Sequence, residues 1–194
     1  LFVLDPWFTR PERVGATRMR FLLEALADLD SALKQHRSRL VVLHGKAEEV
    51  VPAVVERWGA TMLCFEADAA EPFAAKRDAA VRRACEGRGV EVHALPGHTL
   101  YDTRQLLALN GGKAPLTYQS FVKLVKDKAG PVPPPVPDPP ENMPPPPSDA
   151  ETSAGFPLGI PTLPELGYDE PSASAGSTLM PGGESAGLQR LAGH

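Results

Sequence analysis

Four short apolar runs alternate with amphipathic stretches along the first 130 residues, and this alternation narrows the possible folds more than any other feature. The runs lie at residues 1–4, 40–43, 62–65 and 90–95. Short apolar runs bounded by turn residues are typical of buried strands. The stretches between them space their apolar residues three or four positions apart, as one helical face requires, for example at Leu22, Leu26, Leu29 and Leu33.

Strands that alternate with amphipathic helices predict a parallel sheet, because right-handed helical crossovers connect neighbouring parallel strands. We therefore predict an α/β domain over residues 1–130, with a Rossmann-like parallel sheet and helices on both faces. Its helices are predicted at residues 17–37, 45–58, 72–88 and 118–128.

The first apolar run begins at Leu1, with no methionine before it. Such a run has the character of an interior strand, which needs partners on both sides. We interpret the chain as a fragment of a larger protein, in which the first strand and helix of the domain are missing.

A change of composition ends the predicted domain. Of the 17 residues from Pro131 to Pro147, 11 are proline, which excludes helix and sheet and favours extended polyproline. We predict an irregular, Pro-rich linker over residues 131–180 and the truncated start of a further helical domain over residues 181–194. A proline tract can also dock onto aromatic grooves of SH3 or WW type, so a stand-alone nucleotide-binding or adaptor module is the alternative interpretation.

Charge and cysteine content narrow the function classes. The formal net charge of −4 gives no overall basic field, so the chain is too acidic for general nucleic-acid binding. It has no apolar run of 18 residues and no signal-peptide pattern, which predicts no membrane span. Cys64 and Cys85 lack metal-ligand spacing and are predicted to be reduced, buried thiols of an intracellular protein.

The short motifs point to no catalytic residue and no metal ligand. Gly183 to Gly187 matches the G-x-S-x-G pattern, but no strand precedes it, so the start of a glycine-rich helix is the preferred interpretation. His44 and His98 follow predicted strands, at the sheet edge where α/β domains bind ligands. Partly buried, structural histidines are the alternative, and we favour it.

Two acidic residues after the third apolar run have two possible roles. Asp68 and Glu71 have the spacing of a helix capping box, with Asp68 as the N-cap, and they also lie where a ligand could be held. Arg18, at the start of the long second helix, is either a solvated charge or a residue of the same ligand edge.

Specific segments resemble the cryptochrome and photolyase family. They are LFVLDPWF at 1–8, RMRFLLEALADLDSAL at 18–33, SRLVVLHGKAEEVVPAVVERWG at 38–59, EPFAAKRDAAV at 71–81, GHTLYD at 97–102, NGGKAPLTYQSF at 110–121, PTLPELGY at 161–168 and PGGESAGLQRL at 181–191. The segments within residues 71–121 look most like the branch of animal cryptochromes and six-four photolyases. The order of the segments is that of the family's antenna domain, linker and entry into the flavin domain.

The resemblance implies a fragment of a blue-light-absorbing flavoprotein that repairs DNA photoproducts with light, senses blue light, or does both. FAD would bind in the helical domain that is absent here, and the α/β domain could hold an antenna deazaflavin or folate. By resemblance, Phe2 and Leu4 flank that antenna chromophore, Arg18 lies near its polar edge, and Asp68 and Glu71 meet its ring or tail. Damaged DNA or signalling proteins would bind through the absent domain, in the nucleus, the cytoplasm or both, and the fragment alone would not be catalytic.

Overall fold

Parallel strand pairs joined by helices form the centre of the structure, as the alternation predicts. The computed structural model describes residues 1–67, 71–97, 99–132, 134, 140–141, 143, 154–169 and 180–193. The strands are β1 (Phe2–Leu4), β2 (Val42–His44), β3 (Met62–Glu66) and β4 (Glu91–Leu95). The α-helices are α1 (Pro6–Thr9), α2 (Ala16–Gln35), α3 (Ala47–Trp58), α4 (Pro72–Glu86), α5 (Thr103–Leu109), α6 (Tyr118–Leu124) and α7 (Glu184–Ala192).

The chain divides into two compact units. The first unit comprises Leu1–Ala60 with Pro140–His194, and the second comprises Thr61–Pro139. Each unit contains one two-stranded parallel sheet, β1 with β2 in the first and β3 with β4 in the second. The α/β class and the parallel pairing are therefore confirmed, although the described strands form two pairs and not one continuous sheet.

In the first unit, helices cover both faces of the strand pair. Successive residues of a strand point to opposite faces, so Val42 packs with Leu4 and Leu26 of α2, while Leu43 packs with Val50 and Val54 of α3. Val42, Leu43, Val50 and Val54 are each at most 1% exposed. This layering confirms the prediction of helices on both sides of the strands.

A returning segment completes the first unit. Leu158 forms an antiparallel bridge with Leu43, and the N–H of Gly159 donates to the Val42 carbonyl at 2.9 Å. Beyond it, Leu163 and Tyr168 are buried against Met19 and Leu23 of α2. Described residues of the predicted linker thus cover an edge of β2 and supply part of the core, which leaves fewer unpaired strand groups there.

In the second unit, strand β3 exposes alternate residues. Leu63 and Phe65 of β3 are half-buried, whereas Met62 and Cys64 are exposed. The prediction that both cysteines are buried is thus wrong for Cys64, which lies on the face of β3 that the described residues leave open. Cys85 of α4 is fully buried, and this burial raises the pKa of its thiol.

The predicted last helix, residues 118–128, is confirmed and has two parts. Thr117 and Ser120 form a capping box at the start of α6, and a π-helical segment, Val125–Ala129, follows directly. The short helices α1 and α5 were not predicted, because four and seven residues give too little periodicity to detect.

Candidate functional site

The carboxyl ends of β1 and β2 form the predicted ligand edge of the first unit. Asp5 follows β1 directly and is only 5% exposed. Its Oδ1 accepts from the Trp7 N–H at 2.8 Å, and its Oδ2 accepts from the Ala47 N–H at 3.2 Å. The carboxylate therefore caps α1 and also binds the first residue of α3.

This arrangement decides what the edge can hold. A helix N-terminus at a strand end is a favourable place for an anion, since its N–H groups and dipole attract negative charge. At α3 the chain's own Asp5 carboxylate occupies that place. The sequence analysis missed this residue, although an acidic residue immediately before Pro6 was a usable signal for a helix cap.

His44, at the end of β2, has a structural hydrogen bond. Its Nε2 lies 2.9 Å from the Gly159 carbonyl oxygen, which can only accept, so Nε2 carries the proton and donates. The N–H of His44 also donates to the Pro157 carbonyl. The structural interpretation of this histidine is thus confirmed, and His98 lies outside the described residues.

Three of the predicted antenna residues belong to the first unit. Phe2 and Leu4 both lie on β1 and pack into the cluster that contains Leu26 and Val42. Leu4 is 3% exposed, so its side chain is part of the core, whereas Phe2 is half-buried. Arg18 lies in the first turn of α2 and is exposed.

The remaining two predicted residues belong to the second unit. Asp68 lies outside the described residues, and Glu71 is the N-cap of α4, where its Oε2 accepts from the Ala74 N–H at 2.6 Å. The capping-box interpretation, with Asp68 as the N-cap, is therefore wrong. The helix begins at Pro72, and proline favours the first helical position, so the cap falls on the residue before it.

Glu66 is a second carboxylate at this end of β3, and the sequence analysis missed it. A side chain at Gly97, after β4, would collide with the Glu66 carboxylate. Glycine thus permits the loop after β4 to approach that carboxylate. Glu66 and Glu71 give the second unit an acceptor-rich strand end, suited to hydroxyl or N–H donors and unfavourable to phosphate.

The hydrolase motif and other site types have no support in the described residues. Gly183 is the N-cap of α7 and Ser185 is its second residue, which confirms the helix-start interpretation. Within the described ranges, no three His, Cys, Asp or Glu side chains converge on a possible metal site. None of the helices in those ranges is long and apolar enough to cross a membrane.

Comparison with known proteins decides the family. The family profile described as DNA photolyase matches residues 1–141. The chain belongs to the DNA photolyase and cryptochrome family. Cryptochrome-1 of Spalax judaei is 40% identical to it over 202 residues, which cover all of this chain and 32% of that protein. The chain thus spans about a third of the length of this curated cryptochrome.

Solved structures of photolyases and cryptochromes share the fold. The cryptochrome of Synechocystis sp. PCC6803 matches with a TM-score of 0.72 at 21% identity, over 97% of this chain and 38% of that one. The photolyase of Sulfolobus tokodaii, described with two FAD molecules and a novel light-harvesting cofactor, matches with a TM-score of 0.59 at 21% identity. That match covers 98% of this chain and 38% of the other. These structures show that the α/β arrangement is that of the photolyase and cryptochrome N-terminal domain.

Proposed function

We propose that the chain is the antenna-side α/β domain and linker of a blue-light-absorbing flavoprotein, which repairs DNA photoproducts or signals in response to light. The observation that carries the proposal is the 40% identity to a cryptochrome over the whole chain. The domain limits we propose are residues 1–130 for the α/β domain, 131–180 for the linker and 181–194 for the start of the flavin domain. No finding supports the adaptor alternative.

In this proposal, FAD binds in a helical domain beyond the present chain. Damaged DNA or signalling proteins bind there as well, and we expect the protein in the nucleus, the cytoplasm or both. The net charge of −4 supports this division, because the chain lacks the basic field that phosphate binding requires. Illuminating the full-length protein together with DNA that contains six-four or cyclobutane lesions distinguishes repair from signalling. Lesion loss supports repair, and stable lesions leave photoreception.

We further propose that this domain holds an antenna deazaflavin or folate. The family resemblance supports the proposed contacts, which are Phe2, Leu4 and Arg18 of the first unit and Asp68 and Glu71 of the second. The exposed Arg18 guanidinium supplies N–H donors of the kind that such polar, planar ligands need.

Arg18→Ala in the full-length protein should weaken deazaflavin binding about tenfold, since one charged hydrogen bond contributes roughly 1.4 kcal/mol or more. The measurement is a titration followed by ligand fluorescence, with a folate as the second probe. Arg57→Ala, at the exposed C-terminal end of α3, removes the same charge elsewhere and should leave the affinity unchanged. Equal affinities for the Arg18 and Arg57 variants would contradict the proposed contact.

A further inference from the structure

Helix α7 begins without a capping side chain of its own. Its N-cap is Gly183, which has φ of +111° and makes no side-chain cap hydrogen bond. The first N–H groups of a helix have no partners within the helix and need acceptors from outside it. The motif before α7, Pro181-Gly182-Gly183, supplies no such acceptor from its side chains.

Two carboxylates of α2 bind this segment: Asp28 caps the first turn of α7, and Glu24 holds the residue just before the N-cap. Glu24 Oε2 accepts from the Gly182 N–H at 2.7 Å, and Asp28 Oδ2 accepts from the Ser185 N–H at 3.0 Å. Glu24 and Asp28 are four residues apart and so lie on one face of α2. The hydrogen bond from the Ser185 N–H is the main reason why the pKa of Asp28 lies below its usual value. A hydrogen bond with the Ser185 side chain lowers this pKa further.

The backbone at Gly182 and Gly183 lies too close to α2 for any other residue. A Cβ at Gly182 would collide with the Phe21 carbonyl oxygen, and a Cβ at Gly183 would lie 2.7 Å from the Asp28 Cβ. The φ of Gly183 also falls in the region that favours glycine. Both glycines are therefore needed for the backbone N–H groups to reach the two carboxylates.

We propose that Glu24 and Asp28 form a docking site on α2 whose occupant is this chain's own segment 181–185, and that this site fixes where α7 begins. The site recognises backbone N–H groups and the positive end of a helix, and it excludes side chains at two consecutive positions. If α7 opens the flavin domain, the α2 docking site also positions that domain on the antenna side. This last consequence rests on the proposed function.

Residue-resolved amide hydrogen exchange of the full 194-residue chain tests the docking site. Glu24→Ala with Asp28→Ala should accelerate exchange at Gly182 and Ser185 roughly tenfold, because both N–H groups lose charged acceptors. Asp30→Ala is the matched control on the same helix. The Asp30 carboxylate binds Lys34 and the Leu40 N–H, so its loss should leave the α7 amides unchanged.

A second variant tests the same site while both carboxylates remain. Gly182→Val adds a side chain where the Phe21 carbonyl lies, so it should accelerate exchange at Ser185 while amides in the middle of α2 stay protected. Unchanged exchange at Ser185 in either variant would overturn the proposal. Exchange requires no flavin, so its result does not depend on whether the parent protein binds FAD.

Discussion

Leu43→Ala should lower the free energy of unfolding by about 2–5 kcal/mol, the range for removing a large apolar side chain from a packed core. Leu43 is 0% exposed and packs with Val50 and Val54 of α3. It also pairs with Val3 in β1 and bridges to Leu158 of the returning segment. A cavity at this position would therefore loosen both strands and the segment that covers them.

Tryptophan fluorescence during chemical denaturation measures the free energy of unfolding of the first unit, to which Leu43 belongs. The sequence contains two tryptophans, Trp7 and Trp58, and both belong to the first unit. Leu191→Ala is the matched control, because Leu191 belongs to the same unit but is 74% exposed. The control should change stability by less than about 0.5 kcal/mol. A Leu43 variant as stable as the control would contradict the central place of β2 in the core.

Asp5→Ala should destabilise the first unit by roughly 2–3 kcal/mol, because a hydrogen bond to a buried charged group contributes about 1.5–3 kcal/mol. The substitution leaves the N–H groups of Trp7 and Ala47 without their carboxylate acceptor. It also removes the cap of α1, and a lost cap alone costs about 1 kcal/mol.

Two further variants sharpen this test. The first removes the charge of Asp5 but keeps an acceptor, and the second removes a carboxylate elsewhere. Asp5→Asn keeps one acceptor oxygen, so its stability should fall between those of the wild type and Asp5→Ala. Asp169→Ala removes an exposed carboxylate from the same unit and should have little effect. Far-ultraviolet circular dichroism is the suitable measurement, because Trp7 is too close to Asp5 for fluorescence to report stability alone. If Asp5→Ala were as stable as Asp169→Ala, the double capping role of Asp5 would be wrong.

Local sequence patterns predicted the strands and the longer helices, because each depends on its own periodicity. The apolar runs near Val42 and Met62 became strands, and the leucines of α2 include the buried Leu26. Contacts between distant residues were not predictable in this way. Glu24 and Gly182 are 158 positions apart. Neither residue alone indicates that the Glu24 carboxylate accepts a hydrogen bond from the Gly182 N–H.

The candidate site was predicted less completely than the fold. The acidic residues after β3 were predicted to form a capping box that begins at Asp68, but the start of α4 at Pro72 made Glu71 the cap. Exposure of Cys64 depends on which face of β3 is covered, and a short apolar run does not specify this. The family resemblance was confirmed because it rests on ordered segments along the whole chain.

Flavin content and light response of the purified full-length protein test the central claim most directly. An absorption spectrum recorded in the dark should show bound flavin close to one FAD per protein, with additional bands if an antenna chromophore is present. Blue light should then change the redox state of that flavin and so alter its spectrum. A folded full-length protein that contains no flavin, and binds none when FAD is supplied, would contradict the account.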